Sequence, residues 1–382
     1  MAECIIFGAG KIARGFIGQL LFLSGRGFVF VEANEDLAEL MNERGEYTVN
    51  VFGAPEKNSL IKGWRVVPIS DREKINAEAK DAKVIFTAVG GRNLPSIAPA
   101  IAGIIQNTPP FSVNVITCEN WKQPAAILKN EVLKIAPGAK AGFAEAVVMR
   151  SAIEPGADML KSDPLCVCVQ DFWSLPVDAD GLAAPLPDIA GIEPIHNFAG
   201  YLERKFYTYN AANGTVSYLG AMLGHKYISE AARDERIAEV LDKVYRETGQ
   251  ALCAKHGITF EEQMAFAETS RAKLLDRIIV DTLERNARDP MRKLGPDDRL
   301  IGSAKLALDY GIMPNGLATA AAAAIYYEGG PGDPSAGELR MLRENEGAQG
   351  VLGKVCGLSA DDPLYGLILN KIEELRDKNW IS

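Results

Sequence analysis

Cys4-Ile5-Ile6-Phe7-Gly8-Ala9-Gly10-Lys11-Ile12-Ala13 runs an apolar strand straight into a glycine turn. Ile12, Phe16, Ile17, Leu20 and Leu21 then recur at helical spacing, so the order is strand, turn, helix. In that setting G-x-G-x-x-A is a dinucleotide-binding pattern, whereas the bare string carries little weight. Gly8 permits the tight turn, Gly10 lets the backbone approach a pyrophosphate, and Ala13 keeps the helix close to its strand. The helix N-terminus adds unpaired N–H groups and the positive end of its dipole. Phe7 to Ala13 therefore form the expected cofactor loop. The plainer alternative is a turn that needs glycine and binds nothing.

A second strand, Phe28-Val29-Phe30-Val31, ends at Glu32, 19 residues beyond Ala13. An acid at that spacing binds the ribose 2′-hydroxyl of NAD and repels the 2′-phosphate of NADP, so NAD is the expected cofactor. Lys11 and Arg14 either contact phosphate or sit solvated on the helix.

Working outward, strand and helix signals alternate. Asp36–Arg44, Leu94–Ile105 and Gln123–Leu133 read as helices, and Tyr47–Phe52 with Trp64–Ile69 as an inserted hairpin. Val84–Val89 is a continuous apolar strand ended by Gly90-Gly91, which lets Ala88, Val89 and Gly90 pass the cofactor closely. Ser112–Thr117 is another, ending in Cys118-Glu119-Asn120. Such units imply a parallel, doubly wound sheet with ligands beyond the carboxyl ends of its strands, where Gly8 to Ala13, Glu32, Gly90 and Asn120 fall. After a strand at Leu165–Phe172, Pro176, Pro185, Pro187 and Pro194 mark a loop-rich connection. Helix signals dominate from there on: Phe198–Lys205, Asn213–Leu223, Glu230–Lys255, Thr259–Arg285, Leu300–Tyr310, Ala318–Tyr327, Glu338–Leu342 and Tyr365–Lys378. The expected fold is α/β, a Rossmann-type doubly wound parallel sheet over residues 1–195 followed by an all-α domain over 196–382.

A chain of 382 residues, 47% apolar, is long enough for two domains and a large core. Its net charge of −9 argues against general nucleic-acid binding but leaves room for a local basic pocket. The opening core strand argues against a signal peptide, and no apolar run reaches membrane-spanning length. Six cysteines without C-x-x-C and three histidines without zinc-ligand spacing point to a reduced, cytoplasmic protein with no metal.

Leu202 to Gly220 brings Lys205, Asn210 and Asn213 together in nine residues. On an α-helix Asn213 stands about 80° and Asn210 about 140° round from Lys205, so all three can border one cleft. A desolvated lysine can act as a base near neutral pH, and asparagine amides can steady a developing alkoxide. A solvated lysine beside two helix-capping asparagines fits the same residues.

Phe7-Gly8-Ala9-Gly10, Arg14-Gly15-Phe16-Ile17-Gly18, Thr87-Ala88-Val89-Gly90, Ile116-Thr117-Cys118-Glu119-Asn120, the Lys205 segment, Arg292-Lys293-Leu294, Asp298-Arg299-Leu300-Ile301 and Asp309-Tyr310-Gly311 follow in one familiar order. Over nearly its whole length the chain resembles the polyol-specific long-chain dehydrogenase/reductase family, in its mannitol-1-phosphate 5-dehydrogenase group. The resemblance implies a metal-independent, NAD-dependent oxidoreductase, with mannitol 1-phosphate and fructose 6-phosphate as the leading pair. The family signature K-x4-N-x2-H assigns Lys205 as general base and Asn210 as an oxyanion-steadying amide; Asn120 matches a second such amide. Asn213 replaces the signature histidine, which helps hold the substrate; asparagine can donate and accept but not titrate. Val148-Met149-Arg150 replaces the family's V-D-R string. Arg299, Arg292 and Lys293, with Lys305, form the expected grip on a substrate phosphate, Arg299 foremost, and Arg150 lies at the sheet edge. An unphosphorylated polyol or a sugar acid, as in uronate reductases, is the alternative substrate, and a non-catalytic NAD-binding sensor the alternative function. The expected partners are a small polyol or ketose phosphate, with no nucleic acid or membrane, in a monomer or small homo-oligomer.

Overall fold

The computed structural model describes residues 2–153, 155–278, 280–330 and 332–381. The chain divides into two compact units, residues 1–198 and 199–382. In the first, β1 (Cys4–Phe7), β2 (Phe28–Glu32), β3 (Glu46–Val51), β4 (Ser59–Lys62), β5 (Arg65–Pro68), β6 (Val84–Thr87), β7 (Asn114–Thr117) and β8 (Gly142–Glu145) are followed by β9 (Ala152–Ile153), β10 (Val167–Val169), β11 (Leu175–Asp178) and β12 (Ile192–Ile195). Six form the main sheet in the order β5-β2-β1-β6-β7-β8, every pair parallel. This is the doubly wound order 3-2-1-4-5-6, with its switch point between β1 and β6. Alternation along β1 sends Cys4 and Ile6 into one core with Phe16 and Phe30, and Ile5 and Phe7 into the other with Ile97 and Ile101. Burial on both faces is why these strands read as unbroken apolar runs.

The expected hairpin of Tyr47–Phe52 with Trp64–Ile69 does not form. β5 joins β2 in the main sheet, while β3 pairs antiparallel with β4 and parallel with β10 in a second sheet of order β4-β3-β10-β9. Val66 and Val67 are both buried, so β5 needs a place covered on both faces. Trp64 anchors it there, its ring 5.9 Å from Phe30 and 5.6 Å from Tyr47. The proline-rich stretch also contains a ladder, β11 paired in parallel with β12.

The cofactor helix, residues 11–23, carries a π-helical turn at Ala13–Gly18. A Cβ on Gly15 would lie 2.7 Å from methyls of Val167 and Val169, so only glycine lets the helix settle on β10. Tyr47 Oη donates to the Arg14 carbonyl at 3.1 Å, and Arg150 Nη1 to that of Gly15 at 3.0 Å. Two expectations change accordingly. Arg14 is neither solvated nor turned to a ligand: it is buried, with Nη1 donating to the Ala9 carbonyl, and burial lowers its pKa. Arg150 is no edge residue. It is 2% exposed, lies against the rings of Phe16 and Trp173, and also donates to the Gln170 carbonyl and Gln19 Oε1.

In residues 199–382 every described element is a helix. Alanine-rich Asn315–Ile325 runs through the core against Ala211–Met222, Glu235–His256 and Pro363–Asp377, where small side chains let helices approach closely. The single helix expected over Thr259–Arg285 is two, Phe260–Leu275 and Leu283–Ala287, because Asp276 is extended and Thr282 caps a new start. The short helix expected at Glu338–Leu342 is longer, Pro334–Lys354, with a kink at Gly347. Among the described residues no helix is long and apolar enough to cross a membrane.

Arg150→Ala strands three buried acceptors, so urea unfolding is expected to show a loss of about 2–4 kcal/mol. A loss below about 1 kcal/mol would contradict this role for the guanidinium.

Candidate active site

One group of candidate residues lies at the β1/β6 switch point. Gly8 has φ +90°, and a Cβ there would sit 2.6 Å from the Ala88 carbonyl oxygen, so glycine is required on both counts. A Cβ on Gly10 would meet nothing within 4 Å, which leaves that backbone open to a ligand. Phe7 puts its ring in the core and borders the crevice only through its carbonyl, which accepts from Ala88 N at 2.9 Å. Ala13 is buried, Ile12 half-buried and Lys11 exposed.

Two carboxylates hold this crevice in shape. Glu32 Oε2 accepts from Ala9 N at 2.6 Å, and Oε1 from Ala33 N and Asn34 N at 2.8 Å each. A carboxylate has about four lone-pair sites, so one remains for a ribose hydroxyl while the Ala9 N–H is spent. Glu119 does the same for the opposite wall. It is 9% exposed; Oε1 accepts from Thr87 Oγ1 and Val89 N at 3.0 and 2.9 Å, and Oε2 from Gly90 N at 2.9 Å. Glu119 thus fixes the Ala88–Gly90 segment, including the positive φ of Gly90. Sequence reasoning missed it, although it adjoins Asn120 in the same strand-end string. Asn120 is exposed just beyond β7, without a hydrogen-bond partner among the described residues. An open Gly10 and an acid at the end of β2 fit a dinucleotide whose 2′-hydroxyl is free.

Another group of candidate residues lies on one helical run in residues 199–382. Phe198–Lys205 passes through a π-helical turn, Phe206–Asn210, into Ala211–Met222. Five residues on an α-helix would stand apart, but a π turn closes i to i+5. Lys205 Nζ accordingly donates to Asn210 Oδ1 at 3.2 Å, closer than the even α-helical spacing predicted. Buried Gln263 steadies the turn, donating to Thr208 Oγ1 at 2.9 Å while accepting from Arg204 Nε at 2.7 Å. Burial, then the charges of Lys273 and Arg299, lowers the Lys205 pKa to about 8. Lys273 lies on Phe260–Leu275, itself shifted down by burial, and no sequence signal marked it.

Residues 2–191 match the model of the mannitol dehydrogenase Rossmann domain, and residues 197–348 that of the mannitol dehydrogenase C-terminal domain. The chain belongs to the mannitol dehydrogenase family. It is 34% identical over 373 residues to mannitol-1-phosphate 5-dehydrogenase of Bacillus subtilis (strain 168), covering 96% of this chain and 99% of that one. It is 35% identical over 379 residues to the enzyme of that name from Bacillus pumilus, covering 97% and 99%. A crystal structure of D-sorbitol dehydrogenase in substrate-free form shares the fold at a TM-score of 0.81 and 14% identity, with 99% of this chain and 94% of that one covered. The ternary complex of Pseudomonas fluorescens mannitol 2-dehydrogenase with NAD and D-mannitol does so at 0.68 and 15%, covering 99% and 92%.

In this mannitol dehydrogenase family member, Asn213 donates through Nδ2 to Asn286 Oδ1 at 3.0 Å. Asn286, on Leu283–Ala287, also escaped sequence reasoning. The three expected phosphate residues differ in what they have to offer. Arg299 spends Nε on Asp298 Oδ1 at 2.9 Å, and its guanidinium lies 5.4 Å from the Phe206 ring centroid. Its stem crosses Gly214, where a Cβ would be 3.3 Å from Arg299 Cδ. Its terminal nitrogens have no hydrogen bond to a described residue. Arg292 is paired with Asp289 and Asp298. Lys293 is buried and donates to the Asn286 carbonyl; burial, then Arg299 and Arg292, pushes it down to about 8. Met149 is buried in the first unit.

Reductive ¹³C-methylation followed by NMR titration is expected to show two lysine resonances, assigned with Lys205→Arg and Lys293→Arg, with midpoints near 8 rather than the ordinary 10.5. Midpoints above about 10 would contradict this reading of the burial and charge around them.

Proposed function

We propose that this chain is an NAD-dependent oxidoreductase that interconverts mannitol 1-phosphate and fructose 6-phosphate, with Lys205 as its general base and no metal. The observation that carries the chemistry is a lysine withdrawn from water, shifted to about 8, whose hydrogen-bond partner is one asparagine carbonyl. The two relatives named above, 34% and 35% identical over nearly the full chain, support mannitol 1-phosphate as the substrate, whose oxidation at C5 gives fructose 6-phosphate. Six free cysteines fit a reduced, cytoplasmic setting.

Bound NAD supplies the hydride acceptor for oxidation. Lys205, neutral, takes the proton of the reacting hydroxyl at Nζ. Asn210 turns Oδ1 to Lys205, which leaves Nδ2 to donate to the alkoxide and to the carbonyl oxygen that replaces it. Asn120, with its amide unengaged, keeps the role that the family resemblance gives it, that of an oxyanion-steadying amide. The terminal nitrogens of Arg299 are assigned to the substrate phosphate, for which a guanidinium fork is suited. A pKa near 8 serves both directions, because the same lysine must be neutral to accept a proton and charged to return it.

NADH oxidation is to be followed with fructose 6-phosphate, fructose and a keto-hexuronate. Fructose 6-phosphate is expected to lead fructose in kcat/KM by roughly 100-fold, the worth of a charge-assisted phosphate contact. Oxidation of mannitol 1-phosphate is expected to rise with pH through about 8, as Lys205 loses its proton, and the reduction to fall over the same range. Preference for the free sugar or the sugar acid would overturn the substrate assignment. NADH binding without turnover of any of them would overturn the enzymatic reading.

A further inference from the structure

The side chain at position 213 belongs to a hydrogen-bond chain whose direction is fixed at its far end. The Thr282 carbonyl accepts from Asn286 Nδ2 at 3.0 Å. A backbone carbonyl can only accept, so the Asn286 amide must turn its NH₂ to Thr282 and its oxygen the other way. That oxygen accepts from Asn213 Nδ2 at 3.0 Å. Asn213 must therefore point its NH₂ at Asn286, and the opposite end of its amide is the oxygen Oδ1. The buried Lys293 side chain donates to the Asn286 backbone carbonyl, which ties down the backbone that carries this amide. Asn213 Oδ1 has no partner among the described residues, yet it is not sealed off in the way a buried orphan would be. It stands one residue before Gly214, across which Arg299 lies, and three residues after Asn210.

We propose that Asn286 is a positioning residue that holds the Asn213 amide with its carbonyl oxygen toward the substrate, so that position 213 accepts a hydrogen bond from a substrate hydroxyl. The identity of that substrate as a polyol or ketose phosphate rests on the function proposed above. Asn286 acts only through Asn213; the hydroxyl meets Asn213 alone. A neutral histidine at 213 would give one ring N–H to Asn286 and leave its other ring nitrogen as an acceptor, so the arrangement tolerates either residue.

The test uses the full chain with NADH and fructose 6-phosphate and compares Asn213→Ala, Asn286→Ala, the double variant and Asn213→His. Each alanine variant is expected to raise KM about 10-fold with kcat within about 3-fold, the pattern of a lost binding contact. The double variant is expected to be no worse than Asn213→Ala, because the second residue has nothing left to position. Asn213→His is expected to recover most of the KM lost in Asn213→Ala, both hydrogen bonds being retained, and a KM as high as that of Asn213→Ala would overturn the acceptor assignment. Additive losses, or an Asn286→Ala variant with unchanged KM, would overturn the proposal. A readout independent of turnover is the Asn213 side-chain NH₂ resonance pair in ¹⁵N-asparagine-labelled protein, assigned with Asn213→Ala. It is expected to shift in Asn286→Ala, and an unmoved pair would overturn the positioning role whatever the substrate. A shifted pair in a protein that does not turn over fructose 6-phosphate supports the positioning role and places the failure with the substrate assignment.

Discussion

An ammonium group withdrawn from water beside other cations is the interaction on which the rest of the candidate site depends. Lys205 is pushed to about 8 first by burial and then by Lys273 and Arg299. Left alone, such a group would snorkel to solvent or lose its proton. Several features of the second unit meet this demand. The π-helical turn Phe206–Asn210 brings an amide oxygen within reach of Nζ, and Gln263 locks that turn from the neighbouring helix. Gly214 clears the helix surface for the stem of Arg299, whose charge keeps the lysine easy to deprotonate. The buried Lys293 ties the segment after Ala287 back to Asn286. Burial and the neighbouring cations raise the free energy of the charged lysine, the Asn210 oxygen offsets part of that, and the core around Asn315–Ile325 supplies the rigidity that keeps these groups in place.

The first unit relies on carboxylates where the second relies on cations. Glu32 and Glu119 each gather backbone N–H groups from loops that would otherwise be free to move. Each loop contains a glycine at positive φ, Gly8 in one and Gly90 in the other. A carboxylate accepting from several N–H groups is among the stronger ways to fix a turn. The cofactor helix is fixed differently: Tyr47 and Arg150 reach across to the carbonyls of its widened turn. The glycine pattern therefore gives the backbone its freedom, and buried polar side chains some distance away in sequence take that freedom up again.

The parallel sheet was legible because its strands are buried on both faces and punctuated by glycine, and the cofactor loop because its residue types answer to local geometry. The second sheet was not. Tyr47–Phe52 and Trp64–Ile69 are equally apolar and close in sequence, and only the fit of Trp64 beside Phe30 and Tyr47 separates their partners. Lys205 and Asn210 were legible as residue types at a known spacing, but not as a direct contact, because nothing local announces a π turn. Glu119, Lys273 and Asn286 act through tertiary packing, and a single sequence assigns no depth to a charged residue. Arg14 and Arg150 show the same limit in reverse: arginines near a phosphate-binding motif look like ligands until their burial is known.

The central claim is that the Lys205 amine carries the proton. The most direct measurement is the rate of mannitol 1-phosphate oxidation by Lys205→Ala with and without added small primary amines of graded basicity. Loss of general-base catalysis is expected to cost on the order of 10²–10⁴-fold. The account predicts a rate that falls by that much, then recovers with added amine in proportion to its basicity. A Lys205→Ala protein that oxidises the polyol at close to the unmodified rate, with no response to amines, would contradict it.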